Sequence, residues 1–264
     1  MDLQLNGKLA LVTGSTAGIG FAIANALARE GAGVIVNGRT EARAAEAARR
    51  IQSATAAARV ETFAGDLSQP SAADALARRF PAVDVLVNNL GIFEPKPFEQ
   101  ITDADWLAVI ETNFMSGVRL SRHYLPKMRD AGWGRILFIS SESAVNIPVE
   151  MIHYGVTKTM QVALARGLAE SVAGTAITVN SVLAGPTRSE GVGNFLESLA
   201  RSRNLGARQI EDDFFQHARP SSLLKRFETP QEIAAMVAFL ASPVSSGTNG
   251  AALRVEGGVV RSIF

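Results

Sequence analysis

Short apolar runs separated by longer Ala-rich segments of helical period recur along the whole chain, and this alternation confines it to one fold class. The runs at residues 9–13, 34–37, 60–64, 83–88, 136–140, 177–182 and 252–255 read as seven strands. Helical segments follow at about 18–30, 40–53, 70–79, 103–130, 152–173 and 230–241. Strands that are apolar throughout are those of a parallel sheet covered on both faces, and right-handed crossovers then give a Rossmann-type doubly wound α/β fold with a seven-stranded sheet. Gly31 and Gly174 are placed to take left-handed φ after helix ends. No repeat or linker interrupts the pattern, so residues 1–264 are expected to form a single domain. The alternation breaks only at about 188–228, where Phe195, Leu196 and Leu199 recur at helical spacing and Phe214, Phe215, Leu223 and Leu224 add apolar surface. That insertion is either a substrate lid or an element docked against the body.

The first strand runs into Thr13-Gly14-Ser15-Thr16-Ala17-Gly18-Ile19-Gly20, which opens the first helix. Strand, glycine-rich turn and helix in this order bring backbone against a pyrophosphate at the positive end of a helix dipole. Gly14, Ser15, Thr16, Gly18, Ile19 and Gly20 are therefore candidate cofactor contacts. Where such folds place a carboxylate on the adenosine 2′-hydroxyl, this chain has Asn37-Gly38-Arg39. The Arg39 guanidinium suits a 2′-phosphate instead, which points to NADP(H). Asp66 after the third strand suits the adenine amino group or an ordinary turn.

Ser141 follows the fifth strand segment, and Tyr154 and Lys158 lie four residues apart in the helical segment after it. That spacing puts phenol and ammonium on one face. Carbonyl reduction needs a proton on the nascent alkoxide. A phenol can deliver it, a neighbouring cation is expected to lower the phenol's pKa, and Ser141 can donate to the substrate oxygen. Tyr-x-x-x-Lys alone arises freely on helices. Its meaning here comes from a serine at a strand end and a dinucleotide loop converging on the same edge of one sheet.

Other candidates are weaker. His123, His153 and His217 have no metal-ligand spacing, and only His153, next to Tyr154, is placed to line the cleft. Glu211-Asp212-Asp213 reads as a solvated acidic turn, and Trp106 and Trp133 as packing anchors. Lys+Arg total 26 against Asp+Glu 25, which gives no field for nucleic acid or an anionic membrane surface, and the chain has no cysteine. The first apolar run lacks the basic flank and length of a secretory signal, so a cytoplasmic location is expected.

Together these residues resemble the short-chain dehydrogenase/reductase family from about residue 8 to 258, in the pattern of its 3-oxoacyl reductases. The matching stretches are Thr13-Gly14-x-x-x-Gly18-Ile19-Gly20, Asp66-Leu67, Asn88-Asn89-x-Gly91, Asn113, Ser141, Tyr154-x-x-x-Lys158 and Val179-Asn180-Ser181-Val182. The resemblance implies a catalytic tetrad of Asn113, Ser141, Tyr154 and Lys158, with Asn113 in a long helix holding a water that connects Lys158 to solvent. It adds Leu67, Asn89, Gly91, Gly185 and Thr187 to the NADP(H) contacts, with Tyr154 and Lys158 also facing the cofactor. It implies a homotetramer joined partly through helices 103–130 and 152–173. Leu90, Ala184 and Glu256 depart from the family's usual alanine, proline and aspartate and alter the shape of the cofactor pocket. The function expected is NADP(H)-dependent interconversion of a carbonyl and a secondary alcohol by hydride transfer. The carbonyl would belong to a 3-oxoacyl thioester or a small ketone, sugar or polycyclic compound. The alternative is a non-catalytic NADP(H)-binding regulator.

Overall fold

The computed structural model describes residues 1–56, 58–189, 192–193 and 206–263. Its centre is a parallel sheet of seven strands: β1 (Leu9–Val12), β2 (Gly33–Gly38), β3 (Val60–Ala64), β4 (Val85–Asn88), β5 (Gly134–Ser141), β6 (Ile177–Ala184) and β7 (Ala252–Val255). The order is β3-β2-β1-β4-β5-β6-β7. Strands are added to one side of β1 up to β3 and to its other side from β4 onward, so a crevice opens beyond the carboxyl ends of β1 and β4, where ligands of such sheets bind.

Successive side chains of each strand enter opposite layers. From β1, Ala10 and Val12 join one core and Leu11 the other; from β4, Val85 and Val87 divide from Leu86 in the same way. The first layer is sealed by α1 (Gly18–Arg29), α2 (Glu41–Ala54) and the late helix α8 (Pro230–Ala241), through Ile23, Leu27, Ile51, Ile233 and Val237. The second is sealed by α3 (Pro70–Arg79), α5 (Ser116–Ala131) and α6 (Ile152–Ser171), through Leu76, Leu120, Tyr124 and Ala165. Each fully buried Leu, Ile or Val contributes about 1.5–3 kcal/mol of transfer free energy. This double-sided burial explains why the inner strands β1, β2 and β4 read as largely apolar runs, whereas the edge strands β3 and β7 carry Glu61 and Arg254 and are only partly buried.

Helix ends follow local chemistry. Thr229 and Glu232 form a reciprocal capping box ahead of Pro230, and Gly31 and Gly174 do take positive φ, +88° and +77°. The expected helix over 103–130 is interrupted: α4 (Asp103–Ile110) passes through a π-helical turn at Glu111–Met115 before α5 begins. A π turn inserts one residue without disturbing the apolar stripe on either side, so sequence periodicity does not reveal it. Of the insertion, α7 (Ala207–Asp213) and a following π turn at Phe214–Ala218 are described; Phe195, Leu196 and Leu199 lie outside the described residues. Among the described residues, no helix is long and apolar enough to cross a membrane.

Candidate active site

The glycine loop leaves β1 and enters α1 with Gly14 at φ +60° and Gly18 at φ +55°, conformations that a side chain would strain. Ala17 caps α1 without a side-chain bond, and the first helical amide to find a carbonyl is Phe21, 3.1 Å from Ala17 O. The Gly18, Ile19 and Gly20 amides are thus the unsatisfied donors of a helix N-terminus, which fit a pyrophosphate. Gly20 also permits close packing: a Cβ there would lie 2.4 Å from Asn89 Nδ2 and 2.5 Å from Gly14 O.

Ser15 behaves differently from the expectation. It is fully buried; its hydroxyl donates to Val12 O at 2.7 Å and accepts from Asn37 N at 2.9 Å, and its amide donates to Asn37 O. Asn37 Oδ1 accepts from Gly14 N at 3.0 Å. These two side chains lock the loop to β2 and commit both the hydroxyl and the amide of Ser15 within the protein. Arg39, beyond Gly38, is exposed and makes no ion pair among the described residues, and Thr16 packs against Gly38. Asp66 serves the turn: its Oδ1 accepts from Ser68 N at 3.0 Å and Ser68 Oγ at 2.8 Å. Leu67 is core, so only its backbone is available to a cofactor. Asn89 Nδ2 donates to Thr13 O at 2.9 Å and joins the ends of β1 and β4, while Leu90 packs close beside Gly14.

A cleft of about 680 Å³ lies beyond these strand ends, lined among others by Ile19, Asn89, Gly91, Ser141, Tyr154, Lys158, Gly185, Thr187 and residues of α7. Ser141 is the last residue of β5, and its Oγ accepts from Ser143 N at 3.1 Å, a bond that aims the hydroxyl toward α6. Lys158 Nζ is buried, donates to Ile139 O at 2.8 Å, and stands 5.5 Å from the centre of the Tyr154 ring. Burial draws the ammonium down to about 8. The expected lowering of the Tyr154 phenol does not occur. Burial pushes it up to about 12, against the pull of its hydrogen bond with Ser141, because removing a phenolate from water outweighs that single bond.

Asn113 sits in the π turn. Its Oδ1 accepts from Ile92 N at 2.7 Å, and its Nδ2 donates to Ile92 O at 3.0 Å and Thr157 Oγ1 at 3.1 Å. Those bonds clamp the loop after β4 onto α6. The link between Asn113 and Lys158 runs through Gln161, whose Nε2 donates to Asn113 O at 2.5 Å and whose Oε1 accepts from Lys158 Nζ at 3.4 Å. Gln161 follows Lys158 by three residues on the same helical face, the one signal that could have singled it out.

Gly185 requires its missing side chain, since a Cβ would meet Glu256 Cα at 2.5 Å and Glu228 Oε2 at 2.6 Å. Glu256 in place of the family's aspartate is structural. Its Oε2 accepts from the Val259 and Val260 amides around Gly257 and Gly258, both at positive φ. Burial and nearby carboxylates raise Glu228 to about 7. His153 does not line the cleft; it is buried with its ring edge-on to Trp106, 6.0 Å between centres. Glu211 and Asp213 are engaged with Arg188 and His217. The cleft also holds two residues not singled out in the sequence. Glu142 and Arg219, each under 10% exposed, are joined by Arg219 Nε donating to Glu142 Oε1 at 2.8 Å. Arg219 lies 77 residues beyond Glu142, and no sequence signal ties the two together.

The family model described as enoyl-(acyl carrier protein) reductase matches residues 14–260. The chain is 48% identical over its full length, and the full length of the other, to an uncharacterized oxidoreductase, YvaG, of Bacillus subtilis (strain 168). It is 34% identical to a D-beta-hydroxybutyrate dehydrogenase of Cupriavidus necator, covering 97% of this chain and 99% of that one. The solved L-sorbose reductase of Gluconobacter frateurii, in complex with NADPH and L-sorbose, superposes with a TM-score of 0.93 at 30% identity over 100% of both chains. Fold, cleft and relatives agree: the chain is an oxidoreductase of the short-chain dehydrogenase/reductase family that uses a nicotinamide cofactor.

Proposed function

We propose that the protein is an NADP(H)-dependent oxidoreductase that interconverts a ketone and a secondary alcohol, with Tyr154 as proton donor and acceptor. The observation that carries this reading is the convergence of Ser141, Tyr154 and Lys158 on one cleft whose other end opens on the glycine loop. The cofactor, when bound, supplies or receives the hydride. Ser141 donates to the substrate oxygen and Tyr154 gives it a proton. Lys158 holds positive charge beside the phenol, fixed by Ile139 O and Gln161. A phenol held near 12 keeps its proton at neutral pH, which suits an acid in the reductive direction. Gly18, Ile19 and Gly20 would hold the pyrophosphate, Arg39 a 2′-phosphate, Asp66, Leu67 and Asn89 the adenosine, and Gly185 and Thr187 the carboxamide. Gly14, Thr16 and Gly91 would border the cofactor. The NADPH held by L-sorbose reductase supports the choice of NADP(H).

The test is NADPH consumption over a panel of ketones, ketoses and 3-oxoacyl thioesters. Turnover of at least one class is expected. NADPH binding without turnover of any would favour a non-catalytic regulator.

A further inference from the structure

We infer that Glu142 and Arg219 form a hydroxyl-binding subsite beside the reacting carbonyl, and that the substrate is a neutral hydroxyketone. The inference rests on the reductase reading above and names its substrate class. Glu142 directly follows Ser141 and lines the cleft with Tyr154. Its Oε1 accepts from Arg219 Nε at 2.8 Å and Ser143 Oγ at 3.2 Å. Its Oε2 is buried without a hydrogen-bond partner. Arg219 Nη1 donates to Ala218 O at 2.8 Å and reaches Glu150 Oε1 at 3.4 Å, whereas Nη2 makes no hydrogen bond among the described residues. The cleft thus offers one uncommitted acceptor and one uncommitted donor on a single locked pair.

Complementarity selects the ligand. A hydroxyl both donates and accepts, so it satisfies Oε2 and Nη2 together. A carboxylate only accepts, and it would meet a guanidinium already facing Glu142 and Glu150. An ammonium only donates and would meet Arg219. A plain acyl chain would leave the buried Glu142 Oε2 unpaired and would cover Arg219 Nη2 without pairing it, which is unfavourable. Because Glu142 adjoins the serine that faces the carbonyl oxygen, the hydroxyl belongs on a carbon next to the carbonyl. The remainder of the substrate would rest on Phe93, Met151 and Phe214, which line the same cleft.

The test compares 2-hydroxyacetophenone with propiophenone, in which a methyl replaces the hydroxyl, and with the anionic benzoylformate, all with NADPH. The ratio of kcat/KM for the hydroxyketone over propiophenone is expected to fall about 10- to 100-fold in Glu142→Gln, the range for a hydrogen bond to a charged group. Comparing wild type with variant cancels the intrinsic reactivity of the ketones. Should Glu142→Gln fail to fold with Arg219 left unpaired, Glu142→Leu/Arg219→Leu removes both charges and is expected to show the same fall. Thermal unfolding and NADPH titration establish that each variant is folded. An unchanged ratio in the folded variant, or a wild-type preference for benzoylformate, overturns the inference and leaves the reductase reading standing. Wild-type protein that reduces other ketones of the panel above but not the hydroxyketone overturns the subsite alone; wild-type protein that binds NADPH and turns over no member of that panel overturns the reductase reading, and the subsite with it.

Discussion

Tyr154 and Lys158 lie one helical turn apart with the ammonium 5.5 Å from the ring, yet each is driven toward its neutral form by burial. Of the two, Lys158 titrates near the working range, at about 8, while Tyr154 stays protonated to about 12. Reduction should therefore be flat below pH 8 and fall above it as Lys158 loses its charge. Lys158→Arg should move that limb upward; a limb that does not move assigns it to another group. The same shift has a stability consequence. Between about 8 and the ordinary 10.5, the native lysine has released its proton while the unfolded chain still holds one. The free protein should gain stability with pH across that window, and Lys158→Met should remove the gain in denaturant titrations. Arg39, exposed and unpaired among the described residues, should matter only for the phosphorylated cofactor. Arg39→Ala is expected to weaken NADPH by about 10- to 100-fold, from lost charge-assisted bonds, and to leave NADH unchanged in a fluorescence titration. That Ser141, Tyr154 and Lys158 share one cleft was legible, because their order and spacing on a strand end and one helical face bring them together. The direction of the tyrosine shift was not, because burial is a property of the assembled cleft.

The elements divide in the same way. β3, β7, α3 and α8 begin and end where apolar runs, Pro70, Pro230 and flanking polar residues place them. The π turn holding Asn113 was hidden, since an inserted residue leaves both flanking stripes intact. Ser15 was assigned to the cofactor from the motif, whereas its hydroxyl closes the loop against Asn37; a motif gives residue types and not the direction of each group. Glu142 and Arg219 meet only because the segment after α7 folds back over the cleft. Two glycines should separate packing from propensity. Gly20→Ala would force a methyl to within 2.5 Å of Gly14 O, and is expected to weaken cofactor binding and to destabilise by about 1–3 kcal/mol. Gly167→Ala, inside α6 with nothing within 4 Å of its added methyl, should stabilise by about 0.5–1 kcal/mol. Denaturant midpoints would register the opposite signs.

For the whole molecule, sheet order is the property that turns a set of motifs into a site. The switch of side between β1 and β4 brings the glycine loop, Asn89 and Ser141 to one edge although more than 120 residues separate the first from the last. We further propose that the chain is one cooperative domain and assembles as a homotetramer through α4, α5 and α6, where Leu107 is 63% exposed in the isolated protomer. Light scattering should give four times the chain mass, and Leu107→Arg should lower it; a monomeric wild type would refute the assembly. If Tyr154 delivers the proton beside a bound nicotinamide, as proposed, Tyr154→Phe must lose turnover while still binding the cofactor. Stopped-flow measurement of NADPH binding and of its oxidation by ketone should find affinity within about threefold of wild type and turnover reduced by about 10²–10⁴, the usual contribution of a positioned general acid. Full turnover in that variant would mean that another group supplies the proton.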